Sequence, residues 1–215
     1  MIQTLWIVRH GNREDFGNPS WAKTAERPYD PALSDDGERQ AQEAGRSLAG
    51  QTVHRIFASP FLRTIQTAHH IADAVDLPVA LEPGIGEVLP TLQSMPALLA
   101  EEERRRRFAR IDSGYNPTGM LAYPENEVDG HRRSGQTVQQ LADAYPQENL
   151  LFVTHASPVI GIVRHLTGIQ ERISVPLCVI FTLQRNGNGW HLVGDGGSVS
   201  HLSDQATSLR YAHSG

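Results

Sequence analysis

Short apolar runs that stop at polar, chemistry-bearing residues recur along this chain, and each is followed by a stretch with helical spacing. Residues 2–8 are rich in β-formers and stop at Arg9-His10-Gly11. Residues 53–58 stop at Ser59-Pro60, and residues 150–154 stop at His155-Ala156-Ser157. Runs of that length, bounded by turn residues, read as buried strands. Helix-start signals lie between them. Ser34 is the expected N-cap of a helix to about Ala49, with Ala41, Ala44 and Leu48 at helical spacing. Ser59 is the expected N-cap, with Pro60 at the first helical position, of a helix to about Val75. A third strand is expected at 78–81, and helices at 94–110, 136–145 and 157–166. Residues 111–135 read as an irregular loop. Strands at 177–183 and 190–193 flank Asn186-Gly187-Asn188-Gly189, a hairpin signal.

This alternation argues for an α/β fold, a three-layer α/β/α sandwich with a mainly parallel sheet. The hairpin would add an antiparallel C-terminal edge, and a helical and loop insertion would lie over the site. The 215 residues fit a single domain, 1–215, with 88–148 as the insertion or lid region. The glycine- and serine-rich tail, 195–215, is expected to be flexible in part. A net charge of −5 gives no reason to expect nucleic acid or a membrane surface as partner. The opening MIQTLWIVRH lacks a secretory leader, and no apolar stretch is long enough to span a bilayer. The lone Cys178 lies in the apolar run LCVIF and reads as an inert core residue. A soluble, cytoplasmic protein is the expectation, of unspecified oligomeric state.

In sheets of this kind, ligands bind beyond the carboxyl ends of the strands. Arg9, His10, Arg13, Arg63, Glu87 and His155 each follow or flank an expected strand end. Three arginines, two histidines and a carboxylate suit a phosphoryl group. Arginine binds phosphate oxygens with paired hydrogen bonds. A neutral histidine held in one tautomer is a nucleophile, and a carboxylic acid can protonate a leaving oxygen. Phosphoryl transfer needs little beyond such positioning and charge neutralisation. Neither a cofactor nor a metal is expected. His69 and His70 are adjacent on a helix and point apart, and the remaining histidines show no metal-binding spacing. The run EEERRRRFAR reads as a solvated helix face, with Glu101, Glu102 and Glu103 each four residues before an arginine.

The segment VRHGNRED resembles the RHG motif of the histidine phosphatase superfamily, which includes phosphoglycerate mutases. LSDDGERQAQEAG, SPFLRTIQTA and VTHASP resemble that family's later motifs, in the family's order, across residues 5–158. RHG-x-R-x-D, QTAH and EPGIGE are most similar to the suppressor-of-T-cell-receptor-signalling and ecdysteroid-phosphate phosphatases. The segment between Glu87 and His155 departs from that group, so substrate identity does not carry over. The resemblance implies a phosphomonoester hydrolase in which His10 becomes phosphohistidine. It implies that Arg9, Arg13, Arg63 and His155 hold the phosphate and that Glu87 is acid and then base, with Glu82 as the alternative. The substrate implied is a small-molecule or peptide phosphomonoester. Cofactor-dependent mutases of the family show R-H-G-x-S-x-W-N and G-W-x-D. Here the first becomes RHGNREDF and the second is absent. A phosphomutase and a catalytically idle binding or regulatory module are the alternatives.

Overall fold

Six strands form one mixed sheet in the computed structural model, which describes residues 2–187, 189–210, 213 and 214. The chain runs β1 (Thr4–Arg9), α1 (Trp21–Thr24), α2 (Asp35–Leu48), β2 (Arg55–Ala58), α3 (Leu62–Val75) and β3 (Val79–Leu81). It continues through α4 (Glu101–Arg107), α5 (Glu127–Ala144), β4 (Leu150–Thr154), α6 (Ala156–Thr167) and β5 (Ser174–Val175). The hairpin β6 (Ile180–Asn186) and β7 (Gly189–Leu192) follows, then α7 (Gln205–Arg210) and β8 (His213–Ser214). The sheet order is β3-β2-β4-β1-β6-β7. The first four strands of that order are parallel, and β6 and β7 are antiparallel additions. This is the α/β arrangement with an antiparallel C-terminal edge that the alternation implies. The hairpin residue Asn188 and the tail residues 211, 212 and 215 lie outside the described residues.

The β pleat sends alternate side chains to two cores. Leu5 and Ile7 join Val138, Leu141, Val159 and Ile162 of α5 and α6 on one face. Trp6 and Val8 join Ala44, Leu48, Ala68 and Ile71 of α2 and α3 on the other. The central strands are buried along their whole length, as a parallel sheet covered on both faces requires. Among the described residues no helix is long and apolar enough to cross a membrane.

Three local expectations need correction. The helix expected over 94–110 is only Glu101–Arg107, because Pro96 removes an amide donor and biases Met95 away from helix. Its surface pairs form at Glu101–Arg105, 2.5 Å, and Glu103–Arg107, 3.4 Å, while Arg104 instead donates to the Pro60 carbonyl at 3.4 Å. The loop expected to reach residue 135 ends at Asn126, whose side chain accepts from Asp129 N at 2.9 Å and caps α5. Gly130 and Gly135 obscure that helix in the sequence. A Cβ at Gly135 would lie 2.4 Å from His165, and one at Gly161 2.5 Å from His131, so both serve the close approach of α5 to α6. Finally, Ser59 does not cap α3. The N-cap is Phe61, without a side-chain bond, and Asp30 Oδ1 accepts from Leu62 N at 2.6 Å in its place. Within the tail, Ser203 donates to Glu43, and Ser208 is buried with its hydroxyl on the Leu177 carbonyl.

Candidate active site

The histidines follow the two strands at the middle of the sheet. Arg9 pairs in register with Thr154, so the next residues, His10 and His155, leave adjacent strand ends. Their rings meet edge to face, 5.3 Å between centroids. His10 is fixed by its backbone on both sides. His10 N donates to Thr154 O at 3.0 Å, and Cys178 N donates to His10 O at 3.1 Å. Its Nδ1 lies 2.8 Å from the carbonyl of Gly11. A carbonyl only accepts, so Nδ1 carries the proton and the lone pair sits on Nε2.

The loop after β1 is held by residues of two other motifs. Asn12 N donates to Gln40 Oε1 at 2.9 Å, and Gly11 N donates to Thr67 Oγ1 at 3.2 Å. Thr67 Oγ1 in turn donates to Arg63 O at 2.8 Å. Glycine is needed at 11 because an added Cβ would lie 2.6 Å from the carbonyl of Gly37, at the start of α2. Gln40 and Thr67, which lie within two of the sequence motifs, therefore support the histidine loop.

Arg63, in the first turn of α3, is fully buried. Its Nη1 donates to Tyr29 O at 3.2 Å and its Nη2 to Glu87 Oε2 at 3.2 Å. Arg9 is buried at the end of β1, with Nη1 on Val175 O at 2.6 Å. Arg13 is oriented by a bidentate bond to Asp15, 2.8 and 2.6 Å, and by the ring of Phe16, 4.3 Å away. Glu87 reaches the cluster from the loop after β3. Its Oε2 is 3.3 Å from His155 Nδ1, short of hydrogen-bond geometry. The other ring nitrogen of His155, Nε2, is 2.7 Å from Ser59 Oγ. That bond explains why Ser59 is not a cap: its hydroxyl turns to the histidine. Phe61 closes the far side of the ring, 5.0 Å between centroids.

All six expected residues thus converge. Glu82 does not join them. It is fully buried and accepts from Gly84 N at 2.8 Å, Gly119 N at 2.9 Å, Thr118 N at 2.8 Å and Tyr115 Oη at 2.6 Å. Its carboxylate organises the segment around 115–119. Ser59, Asp30, Gln40 and Thr67 are the supporting residues that no motif logic assigned. Only the Ser-Pro pair and the motif positions of Gln40 and Thr67 gave a signal for them; Asp30 gave none.

Burial, then the charges of Arg63, Arg9 and Arg13, holds His10 well below the usual histidine range. Burial, then Arg63 and His10, does the same for His155. Both rings are therefore neutral near pH 7. Burial also lowers Arg63, and it lowers Arg9 to about 9, with Glu87 opposing in both. Guanidiniums this crowded and desolvated are stabilised by an anion. One ligand atom each of His10, Glu87 and His155 lies within 4.8 Å of the others, close enough to surround an ion. Three adjacent guanidiniums oppose a cation there and favour phosphate oxygens.

A curated relative, probable phosphoglycerate mutase GpmB of Erwinia tasmaniensis, is 28% identical over 96% of this chain and 97% of its own length. Ubiquitin-associated and SH3 domain-containing protein A of Mus musculus is 31% identical over 78% of this chain, which spans only 33% of that protein. The crystal structure of the ecdysone phosphate phosphatase of Bombix mori, in complex with tungstate, superposes with a TM-score of 0.75 at 21% identity. It covers 94% of this chain and 96% of its own. A model of the histidine phosphatase superfamily (branch 1) matches residues 5–195, and the chain belongs to that superfamily.

Proposed function

We propose that this chain is a phosphomonoester hydrolase that works through a phosphohistidine on His10. The observation that carries the reading is a buried, neutral His10 with its Nδ1 proton tied to Gly11 O, beside His155, Glu87 and three guanidiniums. With Glu87 protonated, the three guanidiniums and Asp15 leave a charge of about +2, which complements a phosphate dianion. In the first step His10 Nε2 attacks phosphorus in line. The bond from phosphorus to the alcohol oxygen breaks, its electron pair leaves on that oxygen, and Glu87 supplies the proton. Arg9, Arg13, Arg63 and His155 hold the non-bridging oxygens. In the second step Glu87 takes a proton from water as the water attacks phosphorus. The N–P bond breaks, its pair returns to Nε2, and inorganic phosphate leaves.

A phosphomutase differs only in the second step, where a substrate hydroxyl replaces water. The GpmB relative supports that reading. The absent mutase motifs and the phosphatase neighbour support the hydrolase. The test is rapid quench with labelled phosphomonoester. An acid-labile, alkali-stable label should appear on His10 and vanish in His10→Ala, and phosphate should be released without a bisphosphorylated primer. A label on His155, or interconversion of 3- and 2-phosphoglycerate faster than phosphate release, refutes it.

A further inference from the structure

Arg133 stands outside the cluster of arginines and histidines, yet it is mostly buried with a charged partner. Its side chain is 11% exposed and that of Glu125 only 5%. Gly130, Arg133 and Thr137 share one face of α5, at spacings of three and four residues. That face packs on the loop after β3. A Cβ at Gly130 would lie 2.4 Å from Val88, and one at Gly84 would lie 2.4 Å from Thr137 Oγ1. Nε and Nη2 of Arg133 donate to the two oxygens of Glu125 at 2.7 and 2.6 Å. Nη2 also donates to Gly86 O at 3.2 Å, and Nη1 donates to Gly84 O at 2.9 Å and Pro83 O at 3.4 Å. A guanidinium has five N–H groups, so all are in use and none is left for a phosphate oxygen. Glu125 also cancels its charge.

The carbonyls that Arg133 holds belong to the residues just before Glu87. Thr154 Oγ1 donates to Ile85 O at 2.5 Å, and Tyr123 Oη donates to Glu87 O at 2.7 Å. Every carbonyl from 83 to 87 therefore accepts a side-chain bond, three of them from one guanidinium. Loops whose backbone groups face water open readily, whereas this one is fastened at each residue. The carboxylate at its end is aimed as a result. Glu87 Oε1 accepts from Val88 N at 3.1 Å, and Oε2 faces Arg63 at 3.2 Å and His155 Nδ1 at 3.3 Å. A general acid must lie within hydrogen-bond reach of the leaving oxygen, and misplacement by about 1 Å can cost about 10²-fold. We infer that Arg133, with Glu125 bound to it, is a positioning residue for Glu87, fixing the backbone that sets the acid against the leaving oxygen. The inference rests on the hydrolase reading above and on Glu87 as its acid.

The test is single-turnover phosphorylation of the whole chain by ethyl phosphate and by p-nitrophenyl phosphate, whose leaving group needs no proton. Arg133→Lys keeps the charge but loses the planar fork that spans carbonyls and carboxylate. It should slow phosphoenzyme formation from ethyl phosphate by about 10- to 100-fold, and from p-nitrophenyl phosphate much less. A role in folding alone, or in binding the phosphate, would slow both alike. Combined with Glu87→Gln, Arg133→Lys should slow ethyl phosphate no further, because the acid it aims is already gone. Tyr123→Phe removes only the bond to Glu87 O, from a half-buried ring, and should show the same dependence on leaving group in weaker form. It decides the matter if Arg133→Lys does not fold. Equal slowing of both substrates, no slowing at all, or slowing that multiplies with that of Glu87→Gln overturns the positioning role alone. If Glu87→Gln itself shows no dependence on leaving group, the acid assignment fails and the positioning role with it. If wild type takes a phosphoryl group from neither substrate, the hydrolase reading fails, and this proposal falls with it.

Discussion

The two candidate carboxylates can be separated by one substitution, Glu82→Gln. Glu82 accepts four hydrogen bonds while fully buried. The amide keeps one oxygen, which can still serve Gly84 N and Gly119 N but without charge assistance. That weakens each by about 1 kcal/mol. Tyr115 can rotate its hydroxyl and accept from the new NH2 group. Thr118 N cannot reverse, so it faces a donor, at about 1–3 kcal/mol. The expected loss is roughly 3–5 kcal/mol, and for a chain of this length about 2–4 °C per kcal/mol. Thermal unfolding should therefore show Tm lower by roughly 6–20 °C. Single-turnover phosphorylation of the folded variant below its Tm should fall little, and equally for alkyl and p-nitrophenyl phosphates. Glu87→Gln should show the opposite pattern. Its Tm should change little, while phosphoenzyme formation on alkyl phosphates slows by about 10²–10⁴-fold, and much less on p-nitrophenyl phosphate, whose leaving group needs no proton. If Glu82→Gln instead keeps its Tm and shows the leaving-group-dependent slowing, the assignment is reversed.

Activity should survive excess EDTA, because guanidiniums supply the counter-charge; loss on chelation that a divalent metal restores would count against this. Stability should fall as pH drops below about 6.5. There the unfolded His10 and His155 bind protons that the folded rings refuse, so each contributes a slope of up to about 1.4 kcal/mol per pH unit. His131 and His201 shift the same way, so His10→Ala, which should flatten the slope by one proton in urea titrations, isolates one ring. Ser59→Ala should strand His155 Nε2, cost about 1–3 kcal/mol and lower kcat/KM, while Ser59→Thr restores both; a full loss of activity in Ser59→Thr would refute a role confined to the hydroxyl.

The strands were legible because their apolar runs are short and end at polar residues that have no place in a core. α2 was equally plain, since Ser34 caps it through Gly37 N as its sequence position suggests. α5 was obscured by Gly130 and Gly135, which signal a loop locally but serve packing against Val88 and His165. Those contacts are made by residues far away in the chain, so no local pattern contains them. The same limit applies to the site. Arg9, His10, Arg63 and His155 could be placed from strand ends and motifs. Which of Glu82 and Glu87 faces them depends on Tyr115, Thr118 and Gly119, and that was not decidable from the loop's own sequence. Ser59 shows the converse. Its local signal for a helix cap is good, and a tertiary contact with His155 overrides it.

The strand order has a consequence for how this protein comes into being. β1 and β2 are not neighbours, because β4 is inserted between them and pairs with both. Until residues 150–154 leave the ribosome, the first three strands have a gap one strand wide, with hydrogen-bonding edges turned towards it. Such edges invite pairing with other chains, and closing the gap joins segments distant in sequence, which is slow. The last strand to enter the parallel set also brings His155 to His10. Folding of the parallel set and the meeting of the two histidines therefore arrive in one event, and a nascent chain halted before that strand would have His10 with no second histidine beside it.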